Sequence, residues 1–206
     1  ARQKRQIKIT RPDSVTVGFT ELIVDVPATW PHVDLAPLYD VHLGNSRHDA
    51  ELFMKHYRWL RSAPYTLTFD GGDFIENSSK LSVGAGVYEQ DYDPDSQMAK
   101  AVRLFAGLWN KLLFKLPGNH EARSRIMGVD VAAWIAAMVG VPYFADFCFC
   151  TIRFAGNNFR LLAHHGSGSA TTAGAQRMAA RKMTSWAKGF DIFWTGYLHN
   201  PLLDVI

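Results

Sequence analysis

The sequence predicts a single α/β domain with a largely buried sheet. Two observations lead to this prediction. Strand-like apolar segments alternate with helical segments along the 206 residues, and glycine, carboxylate or histidine residues follow almost every predicted strand. A hydrophobic content of 48% and a charged content of 20% are typical of globular proteins. We therefore expect residues 1–206 to form one domain, with 1–32 as an N-terminal extension.

Apolar periodicity and capping residues identify the elements of the first half. The first three are a strand ending within 33–40, a helix over 48–63 and a β-rich segment at 65–73 that runs into glycines. The next helix lies within 93–113, where Asp93 is a suitable N-cap and Pro94 takes the first helical position. The polar segment 78–94 is long enough to be a loop beside a functional site.

The second half continues the alternation and contains both cysteines. Its elements are a strand at 113–121, a helix within 129–139, two strands within 147–166, a basic helix at 174–190 and a final strand at 191–196. Gly156, Asn157 and Asn158 favour a hairpin turn between the two strands. Cys148 and Cys150 share one face of a strand and are too close in sequence for an easy disulfide. We expect a buried apolar pair and an intracellular protein.

Charge and hydropathy exclude some classes of protein. No apolar stretch reaches the roughly 18 residues that a transmembrane helix needs. The basic segment 1–10 is not followed by a long apolar run, so no signal peptide is expected. The net charge of +3 is compatible with an anionic substrate.

Chemically reactive side chains follow the predicted strands in order. They are Asp40 and His42, then Gly72 and Asp73, then Gly118-Asn119-His120-Glu121, then His164 and His165, and finally Gly196 and His199. Alone, Asp-x-His is more often a surface pair and Gly-Asp a turn, whereas Gly-Asn-His-Glu is a stronger signal because a turn would not need His and Glu. In open α/β sheets, however, strand ends converge on one crevice where ligands bind. Carboxylate, amide and imidazole groups suit Mn, Fe, Zn or Mg, so the ordered set predicts a metal site at the strand ends.

The ordered motifs resemble those of the calcineurin-like metallophosphoesterases. "LYDVHLG", "FDGGDFIEN" and "LPGNHEARSR" are similar to the first three motifs of that family, and "WTGYLHN" is similar to the last. The resemblance covers about residues 33–200 and implies a two-layer β-sandwich flanked by helices. "HHGSG" with the basic helix, and "VYEQDYDP", look like phage- and prophage-type members. This likeness favours a phosphodiesterase or nuclease, cytoplasmic in its own cell or in the host of a phage.

The resemblance implies two divalent metal ions, with Mn favoured. The implied ligands are Asp40, His42 and His199 at the first metal, Asp73 as the bridge and Asn119 at the second metal. A histidine at the end of a strand completes the second site. Both His164 and His165 are candidates, and His164 is preferred because it is the first residue past the apolar run.

The implied reaction is hydrolysis of a phosphate ester by a metal-activated water, with His120 assisting the leaving group. Glu76 and Asn77 either support the site from behind or form a solvated turn, and Glu121 is expected to support its loop. Arg123 and Arg125 are candidates for contact with the substrate phosphate; the alternative is that they form a charged surface at the start of a helix. The basic helix at 174–190 is a candidate for contact with nucleic acid; the alternative is that its basic residues form a solvated face.

The last motif departs from the family pattern, which is Gly-His-x-His. Tyr197 stands where a metal-binding histidine is expected, and a neutral phenol is a poor ligand for a divalent cation. We expect a weak second metal. The alternative function is therefore a catalytically weakened relative that binds metal or nucleic acid. Relatives usually continue for several more strands, so a compact form, a truncated form and a homo-oligomer that completes its sheet all stay open.

Overall fold

A computed structural model describes residues 7–10, 21–80, 90–166 and 188–197, with isolated positions at 82, 88 and between 174 and 185. It is a mixed α/β structure. Its strands are β1 (Lys8–Thr10), β2 (Glu21–Asp25), β3 (Asp34–Leu35), β4 (Thr66–Asp70), β5 (Leu112–Lys115), β6 (Phe147–Phe154), β7 (Asn157–His164) and β8 (Ile192–Thr195). Its α-helices are α1 (Ala50–Ser62), α2 (Pro94–Gly107), α3 (Asn119–Ala122) and α4 (Val131–Val139), and a 3₁₀ turn spans Arg123–Met127.

The described strands form two sheets. A five-stranded mixed sheet has the order β1-β2-β6-β7-β8, and a three-stranded parallel sheet has the order β3-β4-β5. In the mixed sheet β1–β2 and β6–β7 are antiparallel, whereas β2–β6 and β7–β8 are parallel. β4, β5, β7 and β8 therefore each lead into a loop that carries one of the motifs.

Two apolar cores cover the two faces of the parallel sheet. One core takes residues from both sheets, including Leu22 and Cys150 from the mixed sheet and Phe69 and Phe114 from the parallel sheet. The rings of Phe69 and Phe114 are stacked with centroids 4.7 Å apart. The other core packs residues of α1, α2 and α4 together. Because both faces are covered, every residue of β4 and β5 is buried, as is usual for parallel strands.

Most of the predicted elements are present, with shifted boundaries. The Asp93 carboxylate accepts a hydrogen bond from the Ser96 N–H at 2.9 Å, which confirms the predicted N-cap of α2. This helix ends at Gly107, inside the predicted segment 93–113, and the chain then turns into β5. The hairpin is present, but its turn consists of Ala155 and Gly156, whose φ angles of 49° and 81° suit a type I′ turn, and the predicted turn residues Asn157 and Asn158 belong to β7.

Two further expectations have an outcome in the fold. Cys148 and Cys150 are buried and form no disulfide, as predicted. The strand predicted to end within 33–40 is only the two-residue β3, although the N–H groups of Ala36 and Leu38 still donate to Leu67 O and Phe69 O of β4. Across the described residues, no helix is both long and apolar enough to cross a membrane.

A buried charge cluster lies at the ends of the parallel strands. The Lys115 ammonium donates to the Asp70 carboxylate on the neighbouring strand and lies 3.5 Å from the Glu121 carboxylate. All three residues are at most 1% exposed. Burial raises the pKa of Asp70 to about 6, although Lys115 opposes this effect. Burial also tends to lower the pKa of Lys115, but the two carboxylates raise it, so Lys115 and Asp70 form a charged pair at neutral pH.

We expect Lys115→Met to lower the free energy of unfolding by about 3–5 kcal/mol, because it leaves two buried carboxylates without their cation. The double variant Asp70→Asn with Lys115→Met should lose less free energy of unfolding, since it also removes one of the uncompensated carboxylates. Urea denaturation of the three proteins at pH 7 measures both differences. A double variant as unstable as the single one would contradict this electrostatic account.

Candidate metal centre

The motifs that follow different strands come together at one end of the two sheets. Backbone hydrogen bonds join the loop after β3 to the loop after β4: Asp40 N donates to Gly72 O and His42 N donates to Asp73 O. Gly196 N likewise donates to His165 O, which joins the ends of β7 and β8. His199 lies outside the described residues. The structure thus gathers the other predicted motifs around a common point.

Asp73 is the centre of this group. Its Oδ2 atom lies 3.3 Å from His165 Nε2, 3.8 Å from His120 Nε2 and 4.0 Å from His42 Nε2. Burial tends to raise the pKa of Asp73, but the hydrogen bond and charge of His165 outweigh burial, so the pKa is lowered. The carboxylate is therefore ionised, as a metal ligand must be.

Two sets of side chains are close enough to hold a metal ion. In the first set, Asp40, Asp73 and His165 offer ligand atoms that all lie within 4.8 Å of one another. Asn119 adds an amide oxygen 3.1 Å from His165 Nε2. Two carboxylates, an amide oxygen and an imidazole form a donor set that divalent Mn, Fe, Zn or Mg accept.

The geometry corrects the preference for His164. His165, not His164, contacts Asp73 and Asn119, and its Nδ1 atom lies 3.0 Å from Gly71 O. His164 is the last residue of β7, and its Nδ1 accepts a hydrogen bond from Gly166 N at 2.7 Å. Successive residues of an extended chain point to opposite faces, so only one of the two can reach the site. The apolar run alone could not reveal which one.

The second set consists of His42, Glu76 and His120. Glu76 is 4% exposed and lies between the two rings, 3.2 Å from His42 Nδ1 and 3.3 Å from His120 Nδ1. Burial tends to raise the pKa of Glu76, but hydrogen bonds from His120, His42 and Asn45 lower it strongly. A carboxylate on Nδ1 leaves His42 Nε2 turned toward Asp73, which is the usual arrangement behind a metal-binding histidine.

A permanent cation already occupies the neighbourhood of the second set. Arg123 Nη1 donates to the Glu76 carbonyl oxygen at 3.0 Å and lies 3.3 Å from Glu76 Oε1. Arg123 Nη2 lies 2.9 Å from His120 Nε2. A divalent ion beside this guanidinium would be repelled, so the set around Asp40, Asp73 and His165 is the better metal site.

The two candidate arginines are placed differently. Arg123 lines the site, as its contacts with Glu76 and His120 demonstrate. Arg125 instead pairs with Asp130 at 3.0 Å and donates to Tyr143 Oη at 2.8 Å, an exposed cluster beside α4. The structure therefore brings only Arg123 to the predicted centre.

Glu121 fixes the loops that carry Asp73 and Asn119. Its carboxylate accepts N–H groups from Asp73 at 2.8 Å, from Phe74 at 2.9 Å and from Gly118 at 2.9 Å. A side chain at position 118 would collide with the Asp73 carboxylate, so this position requires glycine. The expected supporting role of Glu121 is thus visible in its contacts.

Backbone strain is concentrated at the site. The non-glycine residues with positive φ here are Asp40, His42, Asp73, Asn77 and Tyr197. The others in the described chain, Tyr65 and Ala155, lie in turns elsewhere. Such conformations cost about 1–3 kcal/mol each and persist where surrounding contacts over-determine them. Strained residues of this kind cluster at functional sites, which makes this region the candidate functional centre.

Tyr197 occupies the edge of the metal site. Its backbone N–H donates to Asp40 Oδ2 at 2.9 Å, and its ring stands edge-on to His165 with centroids 5.8 Å apart. Tyr197 therefore helps to position two of the candidate ligands, whatever its own hydroxyl contacts.

Several supporting contacts are not evident from the motifs alone. Tyr39 Oη donates to Trp194 O at 3.2 Å and thereby links the first motif to β8. Asn77 Nδ2 donates to His120 O at 2.9 Å, which decides between the supporting role and the solvated turn considered for Asn77. For Asp70 and Lys115 the sequence does indicate a supporting role, because charged residues inside apolar strands need partners.

We expect opposite pH effects from replacing the two adjacent histidines in metal-free protein. Burial tends to lower the pKa of His165, but Asp73 raises it above the usual value, so its pairing stabilises below about pH 6.5 and is lost as pH rises through the raised pKa. The stability difference between wild type and His165→Asn should therefore narrow from pH 6 to pH 8. Urea denaturation in the presence of a chelator measures it.

His164→Asn is the matched control. Burial, and then the neighbouring His165, lower the pKa of His164, so this residue favours folding more as pH rises. Its stability difference from wild type should widen over the same interval. A constant or widening difference for His165→Asn would contradict its ionic pairing with Asp73.

A scan against protein-family models finds no model that matches this chain, and a search of curated proteins finds no match.

Proposed function

We propose that this protein is a metal-dependent phosphoesterase of the calcineurin-like type, acting on phosphodiesters, including those of nucleic acid. The observation that carries the proposal is the buried Asp73 carboxylate, which has three imidazole Nε2 atoms within 4.0 Å and an adjacent amide oxygen. The shared core between the two sheets supports the sandwich that this fold type requires.

The donor set fits a pair of divalent cations, with Mn favoured. The residues that would hold them are Asp40, His42 and His199 for one ion, Asn119 and His165 for the other, and Asp73 for both. When bound, such a pair neutralises the phosphate charge and lowers the pKa of a water molecule, which makes that water a nucleophile near neutral pH.

The chain itself orients the reaction. His120 lies beside Asp73, and its Nδ1 is fixed 2.9 Å from the Glu76 carbonyl oxygen, so the ring presents Nε2 to the site. In this position His120 assists the departing oxygen. The buried network of Glu76, Glu121 and Asn77 holds the ring and the ligands in place and avoids reorganisation during the reaction.

A phosphodiester substrate is favoured by the basic residues near the end of the chain. Arg181, Lys182 and Lys188 are exposed, and such side chains are suited to a polyanionic backbone. Arg177, the fourth basic residue of the predicted helix, lies outside the described residues.

Hydrolysis of chromogenic esters tests the proposal. With added Mn²⁺ the protein should hydrolyse bis(p-nitrophenyl) phosphate faster than p-nitrophenyl phosphate, and a chelator should abolish both reactions. His120→Ala should lower kcat by ~10²–10⁴ without changing metal content, because it removes only the assistance to the leaving group. Metal analysis of both proteins provides the control. No hydrolysis of either ester by folded, metal-loaded wild type would refute the enzyme proposal.

Tyr197 favours a second candidate function, a weakened relative that binds metal or nucleic acid without turnover. If Tyr197 is a missing ligand, Tyr197→His should bind the second Mn²⁺ about tenfold more tightly, since an imidazole replaces a poor donor. Calorimetric titration of metal-free protein with Mn²⁺ measures the affinity of both sites. Equal two-metal occupancy in the wild type and the variant would show that Tyr197 does not weaken the site.

A further inference from the structure

We infer that Arg123 donates a hydrogen bond to the leaving-group oxygen of the substrate, on the His120 side of the site. This inference rests on the proposed phosphoesterase function and adds a permanently charged donor to it. Arg123 follows α3 in the 3₁₀ turn, three residues after His120, so its guanidinium returns toward that ring.

One edge of the guanidinium is firmly anchored. Arg123 Nη1 donates to the Glu76 carbonyl oxygen at 3.0 Å and to Ser78 Oγ at 2.9 Å, and it also approaches Glu76 Oε1. Glu76 and Ser78 are themselves buried. These contacts determine where the opposite edge, Nη2, lies.

The contact between Nη2 and His120 fixes the tautomer of the ring. A guanidinium has only N–H donors, so His120 Nε2 must accept the hydrogen bond at 2.9 Å. The ring proton then resides on Nδ1, which donates to the Glu76 carbonyl oxygen at 2.9 Å. In this arrangement Nε2 of His120 presents no N–H to the site, so the ring assists the departing oxygen by holding Arg123, whose Nη2 presents an N–H beside it.

The charge of Arg123 suits the oxygen that departs. Attack by water forms a new P–O bond, and the bond to the leaving oxygen breaks with its electron pair on that oxygen. The attacking water releases its proton to solvent, and the departing oxyanion takes one proton from solvent, so the hydrolysis balances without a proton from Arg123. Arg123 keeps its own protons throughout, because its guanidinium stays charged, and stabilises the growing negative charge by hydrogen bonding.

Arg123→Ala, Arg123→Lys and the control Arg125→Ala test the assignment with aryl phosphodiesters whose leaving phenols differ in pKa. Poor leaving groups develop more charge, so Arg123→Ala should reduce kcat by ~10²-fold for phenyl esters and by less than about tenfold for nitrophenyl esters. Arg123→Lys should recover part of the loss. Arg125→Ala, whose arginine pairs with Asp130 away from the site, should stay within about twofold of wild type.

A binding measurement gives a readout independent of turnover. Orthovanadate resembles the five-coordinate transition state and carries an oxygen at the leaving position, whereas inorganic phosphate does not. Calorimetry on Mn²⁺-loaded protein measures both affinities. Arg123→Ala should weaken the binding of vanadate by about tenfold or more and the binding of phosphate by less than about threefold.

Other outcomes overturn the inference in distinguishable ways. An equal loss of kcat for all leaving groups, together with weaker phosphate binding, would show that Arg123 contacts the non-bridging oxygens instead. Unchanged kinetics would remove Arg123 from the reaction. A wild-type protein that hydrolyses none of the esters would refute the proposed function and this inference with it.

Discussion

The site depends on one buried carboxylate, that of Glu121. It accepts backbone N–H groups from Asp73 at 2.8 Å and from Gly118 at 2.9 Å, and so joins the loop after β4 to the loop after β5. A carboxylate that is 1% exposed needs a compensating charge, and Lys115 supplies it while also pairing with Asp70 on the next strand. Two parallel strands and the two loops that follow them therefore form one electrostatic unit.

This unit explains how the strained backbone is tolerated. Asp73 has a φ of 54°, which an aspartate adopts at a cost, yet its N–H is held by Glu121 and its Oδ1 accepts the N–H of His120 at 2.7 Å. Asp40 and His42, with φ values of 52° and 48°, are held by backbone bonds to the same loop. Strain in one loop is thus offset by hydrogen bonds from its neighbour, and the side chains are preorganised around a common point.

Local signals in the sequence predicted the order of the elements and the residues that gather at the strand ends. Asp93 and Pro94 mark the start of α2 because capping is a local interaction. The distinction between His164 and His165 depends on the exact end of β7, which contacts with other strands decide. Glu76 was identified as a residue that either supports the site or lies in a turn, and only the long-range contact with His120 distinguishes these roles.

The centre is electrically divided, and this division connects its fold to its chemistry. On one side, Asp40 and Asp73 concentrate negative charge beside the imidazole of His165, which suits a divalent cation. On the other side, Glu76 is paired with Arg123 and bonded to His42 and His120, so its carboxylate is already compensated without a metal ion. Asp73 lies between the two sides, with Oδ2 within 4.0 Å of imidazoles from both. Under the proposed function, a phosphate ester bound across Asp73 would meet the candidate cation site at one end and the Arg123 guanidinium at the other.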